Sequence, residues 1–202
     1  MQEALGQAPG QGGSQGVLMK ARVMGLDLAG KPRNPSGVAL LGGRLLRTML
    51  LHEDREVEEL CLREGVKLVA VDAPLSLPAR GFRPCDLALV RMGFRVFPPA
   101  FSGMRSLTLR GISLSRRLRR RGVGVIEVHP RTSGRILFGT PSREEWARKL
   151  ARLGWRVRGG TGDHELDACV SALTGFLHLR GKTLEVGENG IVIPSVSWVP
   201  SP

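Results

Sequence analysis

The chain has 202 residues, 42% of them hydrophobic, and a formal net charge of +12. This length suits one domain or at most two small ones, and no apolar stretch approaches the roughly 18 residues of a membrane span, so no membrane partner is expected. Three widely spaced cysteines without a CxxC pair argue against a disulfide framework or a zinc knuckle, and favour a reducing, cytoplasmic location.

The N-terminus is predicted to be a disordered tail over residues 1–18, because its first 16 residues are rich in Gly and Gln. The same segment lacks the basic region and the apolar core of a secretory signal. Residues 19–202 are therefore assigned to one folded domain.

The first part of this domain is predicted to be a three-stranded meander, a helix and a fourth strand. Residues 22–28, 35–43 and 44–51 are apolar runs separated by turn residues, which is typical of strands. The spacing of apolar residues predicts a helix over 53–65 and a buried strand over 66–75. A strand–helix–strand crossover of this length makes the fourth strand parallel to one of its neighbours.

The second part is predicted to contain three helices, one more buried strand and a hairpin. In chain order these are a short helix at 85–96, a strand at 122–130, a capped helix at 141–154, a long helix at 163–181 and a terminal hairpin at 182–194. Ser142 is the predicted N-cap of the third of these elements, with Glu145 three residues later. The Asn-Gly pair within the last segment indicates a hairpin turn. Together the elements predict an α/β fold with helices packed on a mixed sheet.

An arginine-rich segment without acidic residues lies in the middle of the chain. Between Leu87 and Ile126 there are nine arginines and no Asp or Glu. If this segment is helical, Leu114 and Leu118 place it on the core and leave its last arginines solvated. The candidate nucleic-acid contacts are Arg105, Arg110, Arg116, Arg117, Arg119, Arg120 and Arg121. Together with the net charge they favour phosphate-backbone binding, although a plain solvated face is the other interpretation.

Three buried-type strands each carry a carboxylate after an apolar run. Asp27 interrupts the run VMGLDLAG, Asp72 ends LVAVD, and Glu127 ends VGVIE. An unpaired buried carboxylate costs several kcal/mol or is forced to shift its pKa, so Asp27 in particular needs a partner that its strand does not supply. In α/β sheets ligands collect at the carboxyl ends of strands, so these acids are predicted to converge there.

The long helix adds further polar residues to this predicted cluster. Asp163 and Asp167 lie one turn apart on a polar stripe beside the apolar face of the helix. Clustered carboxylates raise one another's pKa, and a hard cation such as Mg²⁺ or Mn²⁺ relieves the repulsion through oxygen ligands. His129 and His164 are predicted either to support such ligands or to be ordinary surface or structural residues.

Each acid also has a structural interpretation without metal. Asp72 precedes Ala-Pro-Leu and could start a turn, whereas Asp163 follows a glycine-rich connector and could cap the helix. Asp167 could face solvent. Glu127 could pair with one of the many arginines.

Four motifs, in this order and spacing, resemble a known family. GLDLAG at 25–30, VDAPLS at 71–76, IEVHP at 126–130 and DHELDACVSAL at 163–173 are similar to domain-of-unknown-function family 429. That family is described as predicted nucleases of the RNase H-like fold. The closing VGENGIVIP is also similar, so the resemblance covers about residues 22–194.

The resemblance implies a single RNase H-like domain with a mixed five-stranded sheet, its first three strands antiparallel, and helices on both faces. In nucleases of this fold, including Holliday-junction resolvases, acids on the first strand, the fourth strand and the last helix bind two metal ions. By motif these are Asp27, Asp72 and Asp167, with Glu127 as an additional family acid. The implied chemistry is phosphodiester hydrolysis with ions about 3.5–4 Å apart, and with the arginine-rich segment holding phosphates beside the acids.

Other functions are open at this point. A non-catalytic nucleic-acid-binding protein would keep the fold and the basic surface, and a structural subunit would use the arginines to bind an acidic protein. A phosphotransferase of the actin or sugar-kinase type is disfavoured, because those proteins need two such domains and no Walker motif is present. A two-fold symmetric junction substrate would favour a homodimer, although no dimer surface is readable from the sequence.

Overall fold

A computed structural model describes residues 22–188 and 190–195, which contain eight strands and six helices. The predicted tail lies outside the described residues, as does Asn189 of the predicted hairpin turn. The strands are β1 (Arg22–Asp27), β2 (Ser36–Gly42), β3 (Leu45–Leu51), β4 (Val66–Asp72), β5 (Gly124–Val128), β6 (Arg156–Arg158), β7 (Thr183–Val186) and β8 (Ile191–Pro194). The helices are α1 (Asp54–Glu64), α2 (Pro84–Arg91), α3 (Ser102–Arg120), α4 (Pro130–Phe138), α5 (Arg143–Arg152) and α6 (Asp163–His178). No helix in these ranges is long and apolar enough to cross a membrane.

All described strands form one mixed sheet in the order β6-β3-β2-β1-β4-β5-β8-β7. Strands β1 to β3 are antiparallel neighbours, and β4 and β5 continue the sheet parallel to β1. This arrangement confirms the α/β prediction and the RNase H-like strand order. The sheet is wider than the predicted five strands, because the β7–β8 hairpin adds to β5 and the short β6 adds to β3.

Neither α4 nor β6 was predicted from the sequence, and α3 was only a conditional interpretation of the arginine-rich segment. Helix α4 starts at Pro130, where the missing amide hydrogen costs nothing, and the His129 side chain accepts a hydrogen bond from the Thr132 amide as its N-cap. Gly139, with φ of 70°, ends this helix in the left-handed conformation. Strand β6 has only three residues and no apolar run, so its formation depends on pairing with β3.

The sheet is covered on both sides, as predicted. Helices α1 and α3 pack on the face to which Leu26 and Val71 belong, which we call the α3 face. Helices α4, α5 and α6 pack on the opposite face, around Val23 and the fully buried Trp146, which we call the α6 face. Because side chains alternate along a strand, neighbouring residues belong to different faces. The three cysteines are free and buried, and Cys61 and Cys169 pack in these two cores.

Helix α6 lies unusually close to strands β1 and β2 because two glycines face it. A Cβ atom at Gly25 would lie 1.9 Å from the carbonyl oxygen of Ala168, and one at Gly37 would lie 2.1 Å from that of His164. Gly37 is directly opposite Asp27 in the antiparallel register. The absence of these side chains therefore sets how near the first turn of α6 comes to Asp27.

This packing predicts that Gly37→Ala destabilises the protein by about 2 kcal/mol or more, since overpacking a close contact costs about 1–3 kcal/mol. Gly42→Ala, on the same strand, is the matched control because a Cβ there has no neighbour within 4 Å. The measurement is the free energy of unfolding in urea. Equal values for both variants would contradict the close-packing explanation.

Candidate functional site

Asp27 and Asp72 lie side by side at the carboxyl ends of β1 and β4. Their Cα atoms are register partners across this parallel pair, where strands are about 4.8 Å apart. Both side chains belong to the α6 face. Burial raises the pKa of Asp27, and the negative charge of Asp167 raises it further, while the hydrogen bond to His164 lowers it. The predicted convergence of these two carboxylates is observed.

Asp72 is the least compensated acid of this cluster. Burial is the main reason why its pKa lies well above the usual value, and the charges of Asp27 and Asp167 add to the effect. Within the described part of the chain its carboxylate makes no hydrogen bond and no ion pair. A turn-starting role would involve the carboxylate in a local hydrogen bond, and none is present.

Asp167 reaches the same group of acids from α6, but an arginine already binds it. Arg143, the first residue of α5, donates from Nε to Oδ1 at 2.8 Å and from Nη2 to Oδ2. Asp167 is buried, so the predicted alternative of a solvent-facing residue is wrong.

Asp163 stays at the edge of the site. Its side chain is 74% exposed, and Oδ2 lies 3.3 Å from Arg143 Nη1. Gly162 is the N-cap of α6, so the interpretation of Asp163 as a helix cap is wrong. The structure does not place Asp163 beside Asp27 and Asp72, and its assignment as a metal ligand stays a prediction.

His164 contributes more than the sequence indicated. Its Nδ1 lies 2.6 Å from Asp27 Oδ2, and the ring is 55% exposed. The residue lies three positions before Asp167, so both project from the same side of α6. This spacing was readable in the sequence, but only the packing of α6 on β1 shows that His164 contacts Asp27.

Glu127 lies close enough to Asp72 for its charge to contribute to the raised pKa of that carboxyl, but its own carboxylate is bound by an arginine. It pairs in register with Val71, one position before Asp72, and so its side chain belongs to the α3 face. There it accepts 2.6 and 2.8 Å hydrogen bonds from the guanidinium of Arg83 and a 2.8 Å bond from the Leu75 amide. Asp86 binds the other side of the same guanidinium. The alternative interpretation, pairing with an arginine, is what the structure shows.

A cavity of about 170 Å³ opens at this edge of the sheet. It is lined by acids from both faces together with apolar side chains, including Asp27, Asp72, Glu127, Val96, Phe97 and Met104. The ring of Phe97 is 71% exposed at its rim. The site therefore combines carboxylates with an accessible aromatic surface, which the sequence analysis did not predict.

The arginines of α3 do not form one uniform basic surface. Arg110 is buried and binds Asp54 and two backbone carbonyls, so it is a structural residue. Arg117 binds both Asp54 and Glu58, and Arg121 also contacts Glu58. Arg119 donates to the carbonyl of Val125. Among the described residues, the exposed arginines of this helix with neither an ion pair nor a side-chain hydrogen bond are Arg105, Arg116 and Arg120.

Most of these arginines are also far from the acids, which corrects the expectation that the segment holds phosphates beside them. Helix α3 runs antiparallel to β4 and β5, so only its N-terminal end reaches the site, where Met104 and Leu107 line the cavity. Arg105 and Arg120 are 15 residues apart, which is about 22 Å along a helix at 1.5 Å per residue. Of the exposed candidate arginines of α3, Arg105 is therefore the one at the end of the helix nearest the acids.

The donors at this edge fit a hard divalent cation only at the two strand carboxylates. Asp27 and Asp72 offer oxygen ligands, and the unsatisfied charge of Asp72 is what such an ion compensates. In the residues that the structure describes, however, no three His, Cys, Asp or Glu side chains are arranged to hold a metal ion together. Asp167, the third acid nearby, is bound at both oxygens by the guanidinium of Arg143.

A family model described as "Protein of unknown function (DUF429)" matches residues 25–189. The chain belongs to DUF429. This range contains all the aspartates of the site and Arg143, so the candidate site lies within the family domain. No curated protein matches the DUF429 chain.

Two solved structures are similar to the chain over most of its length. One is a Thermus thermophilus RuvC structure, 20% identical, with a TM-score of 0.45 over 79% of this chain and 96% of RuvC. The other is T. thermophilus RuvC in complex with a Holliday junction substrate, 17% identical, with a TM-score of 0.48 over 80% of this chain and 96% of RuvC.

The raised pKa of Asp72 predicts a pH-dependent stability. The Asp72 carboxyl binds its proton more tightly in the folded protein than in the unfolded chain. Its contribution to the free energy of unfolding is therefore complete below the pKa of the unfolded chain. This contribution is lost as pH rises through the pKa of the folded protein. Asp72→Asn is therefore expected to be more stable than wild type at neutral pH, by about 1.4 kcal/mol per unit of pKa shift. The gain should grow from about pH 4 upwards.

The measurement is urea unfolding between pH 4 and pH 8 in EDTA. Glu144→Gln, at an exposed position of α5, is the control that should follow wild type. A stability difference between Asp72→Asn and wild type that does not change with pH would contradict the assignment of an uncompensated carboxylate.

Proposed function

We propose that this protein is a metal-dependent nuclease that hydrolyses phosphodiester bonds at the edge of the sheet formed by β1 and β4. The observation that carries the proposal is the register pairing of Asp27 with Asp72. The half-buried carboxylate of Asp72 has no hydrogen-bond partner among the described residues. Two adjacent carboxylates, of which Asp72 has no partner among the described residues and Asp27 has only the His164 contact, are costly to the fold and suit a hard divalent cation such as Mg²⁺ or Mn²⁺.

The surrounding residues have separate tasks in this proposal. A divalent ion at the two aspartates would activate water and stabilise the leaving oxygen. The His164 ring orients the Asp27 carboxylate through the Nδ1 contact. Arg83 and Glu127 hold the segment after β4 in place, since Glu127 binds both the Arg83 guanidinium and the Leu75 amide. Glu127 is thus a positioning residue here rather than a metal ligand.

The nucleic-acid surface extends from the cavity along α3. Arg105 lies at the end of the helix next to the acids, and Arg116 and Arg120 offer exposed charges further along it. The net charge of +12 supports a polyanionic partner. The exposed Phe97 ring at the cavity rim could stack on an unpaired base. A cytoplasmic location and the oligomeric state stay predictions.

The test is cleavage of labelled single-stranded, duplex, RNA–DNA hybrid and four-way-junction substrates with Mg²⁺, Mn²⁺ or EDTA. Wild type is expected to cleave at least one of them, and EDTA should abolish the reaction. Asp27→Asn and Asp72→Asn should each lose at least 100-fold in rate, since losing metal-stabilised charge removes several kcal/mol of transition-state stabilisation. Circular dichroism checks that both variants are folded.

Glu144→Gln removes an exposed carboxylate of α5 and should keep the wild-type rate. Equal cleavage by wild type and both aspartate variants would indicate a contaminating nuclease and overturn the proposal. No cleavage by any protein, combined with tight binding by all of them, would instead establish the second candidate.

The second candidate is a non-catalytic nucleic-acid-binding protein on the same fold. The observation that favours it is the ion pair between Arg143 and Asp167, which neutralises one of the three acids without a metal. In that case binding depends on the exposed arginines and survives removal of Asp27 or Asp72.

Both candidates predict the same dependence on salt. Arg105→Ala, Arg116→Ala and Arg120→Ala are each expected to weaken nucleic-acid binding and to reduce the slope of log K against log[salt] by about 1, because each loses one phosphate contact. Fluorescence anisotropy at several salt concentrations measures this slope. Arg55→Ala is the control, since that exposed arginine lies on α1 and already pairs with Glu59. An unchanged slope in all three variants would exclude this face of α3 as the binding surface.

A further inference from the structure

Arg143 forms a bidentate ion pair with Asp167, the acid that α6 brings to the cluster. Its Nε and Nη2 groups each bind one of the two oxygens of Asp167, so a metal ion would compete with the guanidinium for both oxygens. Asp27 lies close enough for its charge to raise the pKa of Arg143, after the larger effect of Asp167. A guanidinium is therefore part of the acid cluster itself.

The local structure holds Arg143 in this place. It is the first residue of α5, directly after Ser142, whose hydroxyl caps the helix by accepting from the Glu145 amide. Its side chain is largely buried, and Nη1 lies 3.3 Å from Asp163 Oδ2. Trp146, one turn further along α5, is fully buried in the core, where its ring packs beside Gly134 and Phe138 of α4. The arginine thus approaches Asp167 from a rigid element.

The charges of the cluster match a single divalent ion. Three ionised aspartates carry three negative charges, and Arg143 offsets one of them. The two that remain equal the charge of one Mg²⁺ or Mn²⁺, and the two carboxylates without an arginine are the register partners Asp27 and Asp72. A second divalent ion would have to break the bidentate pair, which is costly because removing a partner leaves a buried carboxylate unpaired.

We propose that Arg143 takes the role of the second cation, so that the site binds one divalent ion at Asp27 and Asp72 and not two. This inference rests on the proposed function and specifies its metal stoichiometry. The arginine also has a donor left for a substrate: Nη1 points to the exposed Asp163 rather than into the buried pair. A phosphate oxygen of a bound nucleic acid can replace this contact, and Arg143 then stabilises negative charge at the scissile phosphate.

The experiment is a titration of the full chain with Mn²⁺ alone, in which electron paramagnetic resonance measures the free ion and so gives the number of bound ions and their affinity. No substrate turnover is needed. Wild type should bind one ion, and Asp72→Asn should weaken this binding at least tenfold. Arg143→Gln should bind a second ion at least tenfold more tightly than wild type does, because the Asp167 oxygens become available. Arg148→Gln is the matched control on the same helix, since Arg148 is exposed and pairs only with Glu144 among the described residues.

Arg143→Lys and thermal unfolding guard against a variant that fails to fold. The lysine keeps the charge, so this variant should bind one ion as wild type does. Arg143→Gln should melt at a lower temperature than wild type in EDTA, and Mn²⁺ should raise its Tm more than it raises that of wild type, because ligand binding stabilises the folded state.

The outcomes separate this inference from the proposed function. Two ions bound with similar affinity by wild type, or one ion bound by Arg143→Gln, would overturn the role of Arg143 and leave a nuclease site intact. No Mn²⁺ bound by wild type would overturn both.

Discussion

The site depends on the close approach of helix α6 to strands β1 and β2. Gly25 and Gly37 leave no side chains between the strands and the helix, whose backbone carbonyls come within contact distance. This contact places His164 against Asp27 and brings Asp167 to the carboxylates of the sheet. With the helix one side chain further away, the strand acids and the helix acid would belong to separate parts of the surface.

Once these acids are together, the fold has to balance their charge, and it does so with buried arginines. Arg143 binds Asp167 on the α6 face, and Arg83 binds Glu127 and Asp86 on the α3 face. Buried ion pairs of this kind contribute little net stability, but their loss is costly, so they specify where each carboxylate lies. The exception is Asp72, which has no such partner among the described residues. The functional proposal rests on this imbalance.

Basic charge is abundant in this chain, yet much of it serves the structure. The arginines of α3 looked like one binding surface in the sequence, because no acidic residue interrupts them. Their acidic partners Asp54 and Glu58 come from α1, which is remote in sequence and adjacent in space. Local charge patterning therefore overestimated how many arginines are available to bind nucleic acid. The position of Arg105 at the end of α3 nearest the cavity supports a smaller nucleic-acid surface.

The sequence by itself determined strands β1 to β5, helices α1, α2, α5 and α6, the closing hairpin, and the placement of Asp27 and Asp72 at strand ends, because hydrophobic periodicity and strand ends are local properties. It did not determine helix α4, whose start depends on a cap, or which acids share a face. Glu127 is offset by one register position from Asp72, and a single step along a strand moves a side chain to the other face. Only the tertiary structure decided that Arg143, 24 residues before Asp167, binds it, because ion pairs across elements follow from packing and leave no periodic signal in the chain.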